Sequence, residues 1–208
     1  HRQCVGGVPL DAERQRFLGL MRQQAVRMQT LVNDLLTLSR LEGSPAPGTS
    51  EWTDVGELTQ HVVQEARGLS AVIASPVHDI EVVAGPSLQV SGSRSELFSA
   101  MSNLLSNAVR YTPPGGCIRA GWRQPDEDAA EFFVEDTGPG IEAEHLPRLT
   151  ERFYRVDGSR SRDTGGTGLG LSIVKHVVQR HGGELQIQSE VGKGSSFRLV
   201  FPALRVRV

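Results

Sequence analysis

The 208 residues carry 22 Lys and Arg against 24 Asp and Glu, a formal net charge of −2. With both signs mixed along the chain there is no electrostatic footprint for nucleic acid or an anionic membrane, and the length admits one or two domains around a sizeable core. Cys4 and Cys117 give no disulfide framework and fit a reducing compartment, while the longest apolar run near the middle, Ala71–Ala74, is far short of the roughly 18 residues a membrane helix needs.

No signal-peptide pattern opens the chain. The expectation is a soluble, cytoplasmic portion, any membrane anchor belonging to chain beyond these residues. Residues 1–9 read as loop. From Asp11 to Glu42 only Gly19 interrupts a helix-forming sequence. Phe17, Met21, Met28, Leu31, Leu35 and Leu38 recur there in steps of four and three, with Gln24 the one break, and Leu20, Val32, Leu36 and Leu41 flank them. That is a heptad seam, which one helix cannot bury alone, so it predicts packing on another helix or a second chain. GSPAPGTS at 43–50 reads as a linker between this helix and the rest of the chain.

Beyond the linker the pattern is globular. It predicts a strand at Trp52–Val55, a helix at Val55–Leu69, and strands near Ile80–Val83 and Leu88–Val90. Ser93 and Glu96 form a capping box that opens a helix to about Tyr111. Strands at Ile118–Arg123 and Glu131–Asp136 flank QPDEDAA, which reads as a hairpin loop. Next come a short helix near Glu142–Leu149, a polar segment at 154–167 and a glycine-initiated helix ended by Gly182–Gly183, then a hairpin of Glu184–Ser189 with Ser196–Phe201. Strands and helices mix without βαβ repeats, so the expected fold is an α+β two-layer sandwich, a mixed sheet with helices on one face.

Three constellations carry chemistry. On the 93–111 helix, Leu97, Met101, Leu104, Leu105 and Ala108 form a core stripe, while Glu96, Ser99, Asn103, Asn107 and Arg110 face the other way. Asn is a poor helix former; its amide oxygen is a hard neutral ligand suited to Mg²⁺ already carrying phosphate oxygens, and Arg110 is placed to hold a phosphate. Read alone, this face is more readily a solvated surface than a site. EDTGPGI at 135–141 ends an apolar strand. It is either a plain turn or a site where Asp136 accepts a base amino group while Gly138 and Gly140 let backbone pass a flat ring. DTGGTGLGL at 163–171 feeds a helix N-terminus, which favours an anion, although it matches neither G-x-G-x-x-G nor G-x-x-x-x-G-K-[ST]. Gly192-Lys193-Gly194-Ser195 precedes the last strand. Each signal is weak; their order and spacing are not.

The set resembles the ATP-binding domain shared by sensor histidine kinases, DNA gyrase, MutL and heat-shock chaperone ATPases. ELFSAMSNLLSNAVRYTP is similar to the Asn-containing box of the sensor kinases, DTGPGI to their first glycine box, LTERFYRVD to their phenylalanine box and GGTGLGLSIVKHVVQRHGG to their second glycine box. RMQTLVNDLLTLSRLE resembles the second helix of their dimerisation hairpin, and LPRLTERFYRVDGSRSR is particularly like the phosphate-regulon sensors. The resemblance implies a partial dimerisation segment at 1–42, a linker at 43–50 and an ATP-binding catalytic domain at 51–208. It implies ATP and Mg²⁺ as cofactors, with Asn107 as metal ligand and Asn103 beside it. Arg110 and Tyr111 would contact phosphate and nucleotide, and Arg155 the γ-phosphate. Asp136 would read adenine, with Gly138, Gly140 and Ile141 lining the pocket and Ser195 completing it. Gly166, Thr167, Gly168, Leu169 and Gly170 would wrap the phosphates, with Leu171 next to them, under a lid at 154–167. The implied partners are a second copy through the 11–42 helix and a response regulator, in a bacterial sensor anchored to the inner membrane elsewhere.

ATPases of this wider group resemble one another in carrying a Glu at the position of Asn103, where it activates water. An amide cannot take a proton, which favours transfer over hydrolysis. None of the six histidines sits in the family's acceptor pattern, so the helix bearing the acceptor is expected outside these residues. His176 and His181 are expected on the helix surface. The alternatives are a hydrolytic relative and a nucleotide-gated interaction module without transfer.

Overall fold

Alternation of apolar and polar residues along the strands fixes one buried and one exposed sheet face. The computed structural model describes residues 10–126, 129–156 and 166–207. In chain order the elements are α1 (Leu10–Gly43), β1 (Trp52–Asp54), α2 (Val55–Ile73), β2 (Asp79–Val83), β3 (Gln89–Ser91) and α3 (Arg94–Tyr111). They continue with β4 (Cys117–Asp126), β5 (Ala129–Asp136), α4 (Gly170–Arg180), β6 (Glu184–Glu190), β7 (Gly194–Pro202) and β8 (Val206–Arg207). The main sheet has the order β2-β4-β5-β7-β6. Only β2 and β4 run parallel in it; its other pairs are antiparallel. A small antiparallel sheet, β1-β3-β8, stands beside it.

Rows of apolar residues cross the main sheet in register: Ala120, Val134 and Phe197, then Trp122, Phe132 and Leu199. All six are buried, and they meet Leu58 and Val62 of α2, Met101 and Leu105 of α3, and Ile173 and Val177 of α4 in one core. The opposite face is charged. Arg119 bonds Glu81 at 3.1 Å and Glu135 at 3.2 Å, and Arg123 pairs with Glu131 and lies 4.5 Å over the Phe133 ring. Glu131 and Phe133 are buried there beside Arg123, while α2, α3 and α4 pack into the core on the other face, which makes the expected two-layer sandwich.

Several boundaries differ from the sequence reading. Asp54 accepts the Glu57 N–H at 3.0 Å and caps α2, so Val55 opens the helix instead of closing the strand. The hairpin loop expected at QPDEDAA is mostly strand: β4 reaches Asp126 and β5 begins at Ala129, with a register slip between Arg123 and Asp126. The turn itself lies outside the described residues. The helix expected near Glu142–Leu149 is a single 3-10 turn, Leu146–Arg148, opened by Pro147. The capping box is half formed. Ser93 Oγ accepts the Glu96 N–H at 3.4 Å, but the Glu96 carboxylate turns to Arg180 instead of back to Ser93.

The Ser93 N–H goes to His181. This corrects the surface placement expected for that histidine: His181 is 0% exposed, its Nε2 accepting from Ser93 N at 3.2 Å and its Nδ1 bonding the Val177 carbonyl at 2.8 Å. Gly92 is required beneath it, since a Cβ there would lie 2.2 Å from the ring. His176 is half-buried instead of fully on the surface, its Nε2 3.5 Å from Glu42.

The seam on α1 divides between two faces. Leu38 and Leu41 are buried and Leu31 partly so, all packed into the body. Phe17, Met21, Met28 and Leu35 of the same seam remain exposed, with Val32 and Leu36. At 100° per residue the exposed set spans an arc of about 100° next to the body-facing one. Residues 43–50 are held down at several points. Arg180 donates to the carbonyls of Leu41 (2.5 Å), Ser44 (2.7 Å) and Pro45 (2.8 Å), and Arg205 to those of Pro47 (3.0 Å) and Gly48 (2.7 Å).

Candidate functional site

The polar side of α3 meets the beginning of α4. Asn103 donates its Nδ2 to the Ser99 carbonyl at 2.8 Å, which turns its Oδ1 outward. A Cβ at Gly170 would lie 2.7 Å from that oxygen and 3.9 Å from Asn107 Nδ2. A side chain at Gly170 would therefore crowd the Asn103 oxygen, while its distance to Asn107 is an ordinary contact. Leu169, next to it, is fully buried, and Leu171 packs on the core, so the loop is anchored by its apolar residues. Gly168 adopts φ +77° against Phe153, itself at φ +64°, and the Phe153 N–H bonds the Gly168 carbonyl at 2.9 Å. Two left-handed residues back to back hold the loop in one shape.

Asp136 ends β5 one strand over. Its Oδ1 accepts the Gly138 N–H at 2.8 Å, closing an Asx turn. Burial raises its carboxyl above the usual range, and backbone bonds from Gly138 and Ser195 offset part of that rise. Gly140, at φ +74°, crosses under the Glu190 carbonyl, which a Cβ would approach to 2.1 Å. Gly194 crosses the Asp136 carbonyl in the same way, at 1.9 Å. Ser195 faces Asp136 in the β5–β7 register, and its Oγ is 2.9 Å from that of Ser189. Ser189 also accepts the Ile141 N–H at 2.8 Å. No spacing pattern marks Ser189 in the sequence, yet it joins the two glycine turns.

Tyr111 connects these regions. Its carbonyl is 3.2 Å from where a Gly138 Cβ would stand, and its hydroxyl is 3.6 Å from the same point on Gly166. Tyr111 as a residue is 47% exposed. Arg110, in the last turn of α3, and Arg155, two residues past Phe153, are both half-buried. Thr167 donates its hydroxyl to Asp34 of α1 at 2.6 Å, a contact that no sequence pattern announces. Of the lid expected at 154–167, residues 157–165 lie outside the described residues. The three constellations thus converge on one region: Asn103 and Asn107 at the α4 N-terminus, and Asp136 with Gly138 beyond Tyr111.

The family model for histidine kinase-, DNA gyrase B- and HSP90-like ATPases matches residues 92–205, all of α3 through the β7 hairpin. The chain belongs to this family. Within it, the sensor-kinase resemblance holds across most of the chain. The phosphate regulon sensor protein PhoR of Pseudomonas aeruginosa is 51% identical over 191 residues, which are 92% of this chain and 42% of that protein. The sensor-like histidine kinase SenX3 of Mycobacterium tuberculosis is 41% identical over 191 residues, 91% of this chain and 45% of that one. The chain therefore spans less than half the length of these relatives. Among solved structures, the mycobacterial sensor histidine kinase MprB matches with 32% identity and a TM-score of 0.63, over 73% of this chain and 96% of that one. Full-length ShkA in complex with AMPPNP matches at 26% identity and TM-score 0.73, over 91% of this chain and 39% of that one. No described helix is long and apolar enough to cross a membrane.

Proposed function

We propose that this chain is the ATP-binding catalytic portion of a sensor histidine kinase acting in phosphate-starvation signalling. The observation that carries the reading is the meeting of Asn103 and Asn107 with the glycine-started helix α4 at Gly170. A polyphosphate at that N-terminus would gain the helix dipole and free backbone N–H groups. Asp136 would accept the adenine amino group, with Gly138, Gly140, Ile141 and Ser195 around the ring and Tyr111 beside it. That the neighbour ShkA was solved with AMPPNP supports a nucleotide here.

The residues present fit Mg²⁺. The outward Asn103 Oδ1 and the amide of Asn107 are neutral, hard donors, few in number, as this ion needs when phosphate oxygens and water complete its shell. Asn107 would hold it, with Asn103 beside it; when bound it supplies charge neutralisation at the phosphates. Arg110 and Arg155 would bind phosphate oxygens and orient the γ-phosphoryl toward its acceptor. In the transfer, the bond from γ-phosphorus to the bridging oxygen breaks, a bond to a histidine nitrogen forms and ADP leaves. Because Asn103 is an amide it cannot activate water, which supports transfer over hydrolysis. A response-regulator aspartate would take the phosphoryl in turn, and a second copy would pair through α1.

The test is labelling in trans. Incubated with γ-labelled ATP and a separate hairpin helix carrying the acceptor histidine of a sensor kinase, the wild-type chain is expected to label that helix. The Asp136→Asn variant is expected to lose at least about 100-fold in rate while still folding, since one buried polar pairing with the base is gone. Steady release of free phosphate with no labelled helix would favour the hydrolytic reading instead.

A further inference from the structure

Asp34 lies on α1, outside every asparagine and glycine segment of the site, yet it touches one of them. Its Oδ2 accepts the Thr167 hydroxyl at 2.6 Å. The Thr167 oxygen in turn accepts the Leu169 N–H at 3.3 Å. A hydroxyl has one proton to give, so while it serves Asp34 it cannot donate to a phosphate oxygen. Thr167 lies three residues before Gly170, where α4 begins, and a helix N-terminus favours an anion. A carboxylate from α1 thus sits at the mouth of an anion-binding position. Burial raises the Asp34 carboxyl and the Thr167 bond offsets part of that rise, as expected for an acid held by a single hydroxyl in a half-buried place.

The rest of the α1 attachment is independent of Asp34. Leu38 and Leu41 are buried, Glu42 pairs with Arg152 and lies 3.5 Å from His176, and Arg180 holds the Leu41 carbonyl. Asp34 is seven residues before Leu41, about 10 Å along the helix axis. Opening the Asp34 contact therefore needs a tilt about the anchored end that also loosens the partly buried Leu31, with the helix still attached at Leu38 and Leu41.

We infer that Asp34 sets the affinity of the site according to phosphate charge: docked, it occupies the Thr167 proton and opposes a polyphosphate, and a bound triphosphate weakens the docking of α1 by the same factor. The inference rests on the nucleotide reading of the site. Like charges beside one helix N-terminus repel, and the penalty grows with the number of phosphates. Reciprocity is a consequence of linkage.

The test is calorimetric titration of the wild-type chain and Asp34→Asn with AMPPNP plus Mg²⁺ and, separately, with AMP. The amide keeps an acceptor for Thr167 and removes the charge. AMPPNP is expected to bind the variant about tenfold more tightly, and AMP to change by less than about twofold. Equal AMPPNP affinity in both proteins overturns the inference and leaves the site reading standing. Equal gains for AMP and AMPPNP overturn it as well, because the effect is then not one of phosphate charge. If the wild-type chain binds neither nucleotide, the site reading fails and this inference with it. In the wild type, AMPPNP should also speed hydrogen exchange of the amides around Asp34; unchanged exchange there counts against the coupling.

Discussion

At Gly170 and Gly194 the same substitution has opposite consequences. A methyl at Gly194 would meet the Asp136 carbonyl at 1.9 Å, on a residue at φ +118°, and neither the backbone oxygen nor the dihedral can yield cheaply. At Gly170 the obstacle is Asn103 Oδ1 at 2.7 Å, the free end of a side chain, and the backbone is helical. Ala is also the better helix former by about 1 kcal/mol. Gly194→Ala is therefore expected to lose about 3 kcal/mol or more of stability in urea melts, through strain and displaced backbone. Gly170→Ala should keep its melting temperature and displace the Asn103 amide, lowering phosphoryl transfer by roughly 100-fold, as small misplacements at reacting groups do. A Gly170→Ala protein with full transfer activity would show that Asn103 has no part in the site. Asp136 is a liability of the same kind within the fold. Its carboxyl is raised by burial, so the folded chain holds that proton more tightly than the unfolded one, and stability falls as pH climbs from about 4 through the raised value. The two backbone bonds from Gly138 and Ser195 offset only part of this cost at the end of a core strand.

Among the elements, α3 carries most of the candidate site and is fixed at both ends by buried histidines. His181 Nε2 accepts the Ser93 N–H at its N-cap, and His78 Nε2 donates to the Thr112 carbonyl at its C-cap, 2.9 Å away, while His78 Nδ1 meets Ser70 Oγ at 2.8 Å. Only a neutral His181 can accept that bond. Burial lowers its imidazole below the usual 6.5; the Val177 carbonyl bond and the charge of Glu96 work against this, while Arg205 and Arg180 add to it. The folded chain then binds fewer protons than the unfolded one below about pH 6.5, so this contribution is full above that pH and is lost as pH falls toward the lowered value. His181→Gln is expected to melt about 5 °C lower than wild type at pH 7.5, with Ser93 N–H less well satisfied, but to lose less between pH 7.5 and 5.5. Parallel pH slopes in scanning calorimetry would remove His181 as the titrating group. The amide face of α3 was legible in the sequence because helical periodicity separates Asn103 and Asn107 from the leucines. The clamp at its ends was not. Gly92, Ser93 and His181 meet only after α4 folds back on α3, and a histidine next to a Gly-Gly stop carries no mark of burial. Ser189 and Asp34 were hidden for the same reason: their partners lie at the far end of a tertiary contact.

On the scale of the whole molecule, α1 has two apolar stripes where the heptad pattern suggested one. Periodicity gives the spacing of apolar residues but not which neighbour covers each, so Leu31 and Leu38 read as part of the same seam as Met28 and Leu35. In the fold Leu38 is buried against the body, while Met28 is 66% and Leu35 43% exposed. Phe17, Met21, Val32 and Leu36 extend the exposed stripe over about five turns. Such a stripe is too large to be left to water in a stable monomer, and its partner in the kinase reading is a second copy of the chain. The body-facing stripe and the exposed stripe share no residue, so the two interactions can be separated. Met28→Glu combined with Leu35→Glu is expected to abolish self-association in light scattering at concentrations of about 100 μM, where the wild-type chain is expected to dimerise. Two charges placed on an apolar helix seam oppose pairing by several kcal/mol. The monomeric variant should bind AMPPNP with wild-type affinity, because Leu38, Leu41 and the Asp34–Thr167 contact are untouched. Loss of nucleotide affinity along with the dimer would mean that the exposed stripe supports the catalytic body directly, and that the division of α1 into two independent faces is wrong.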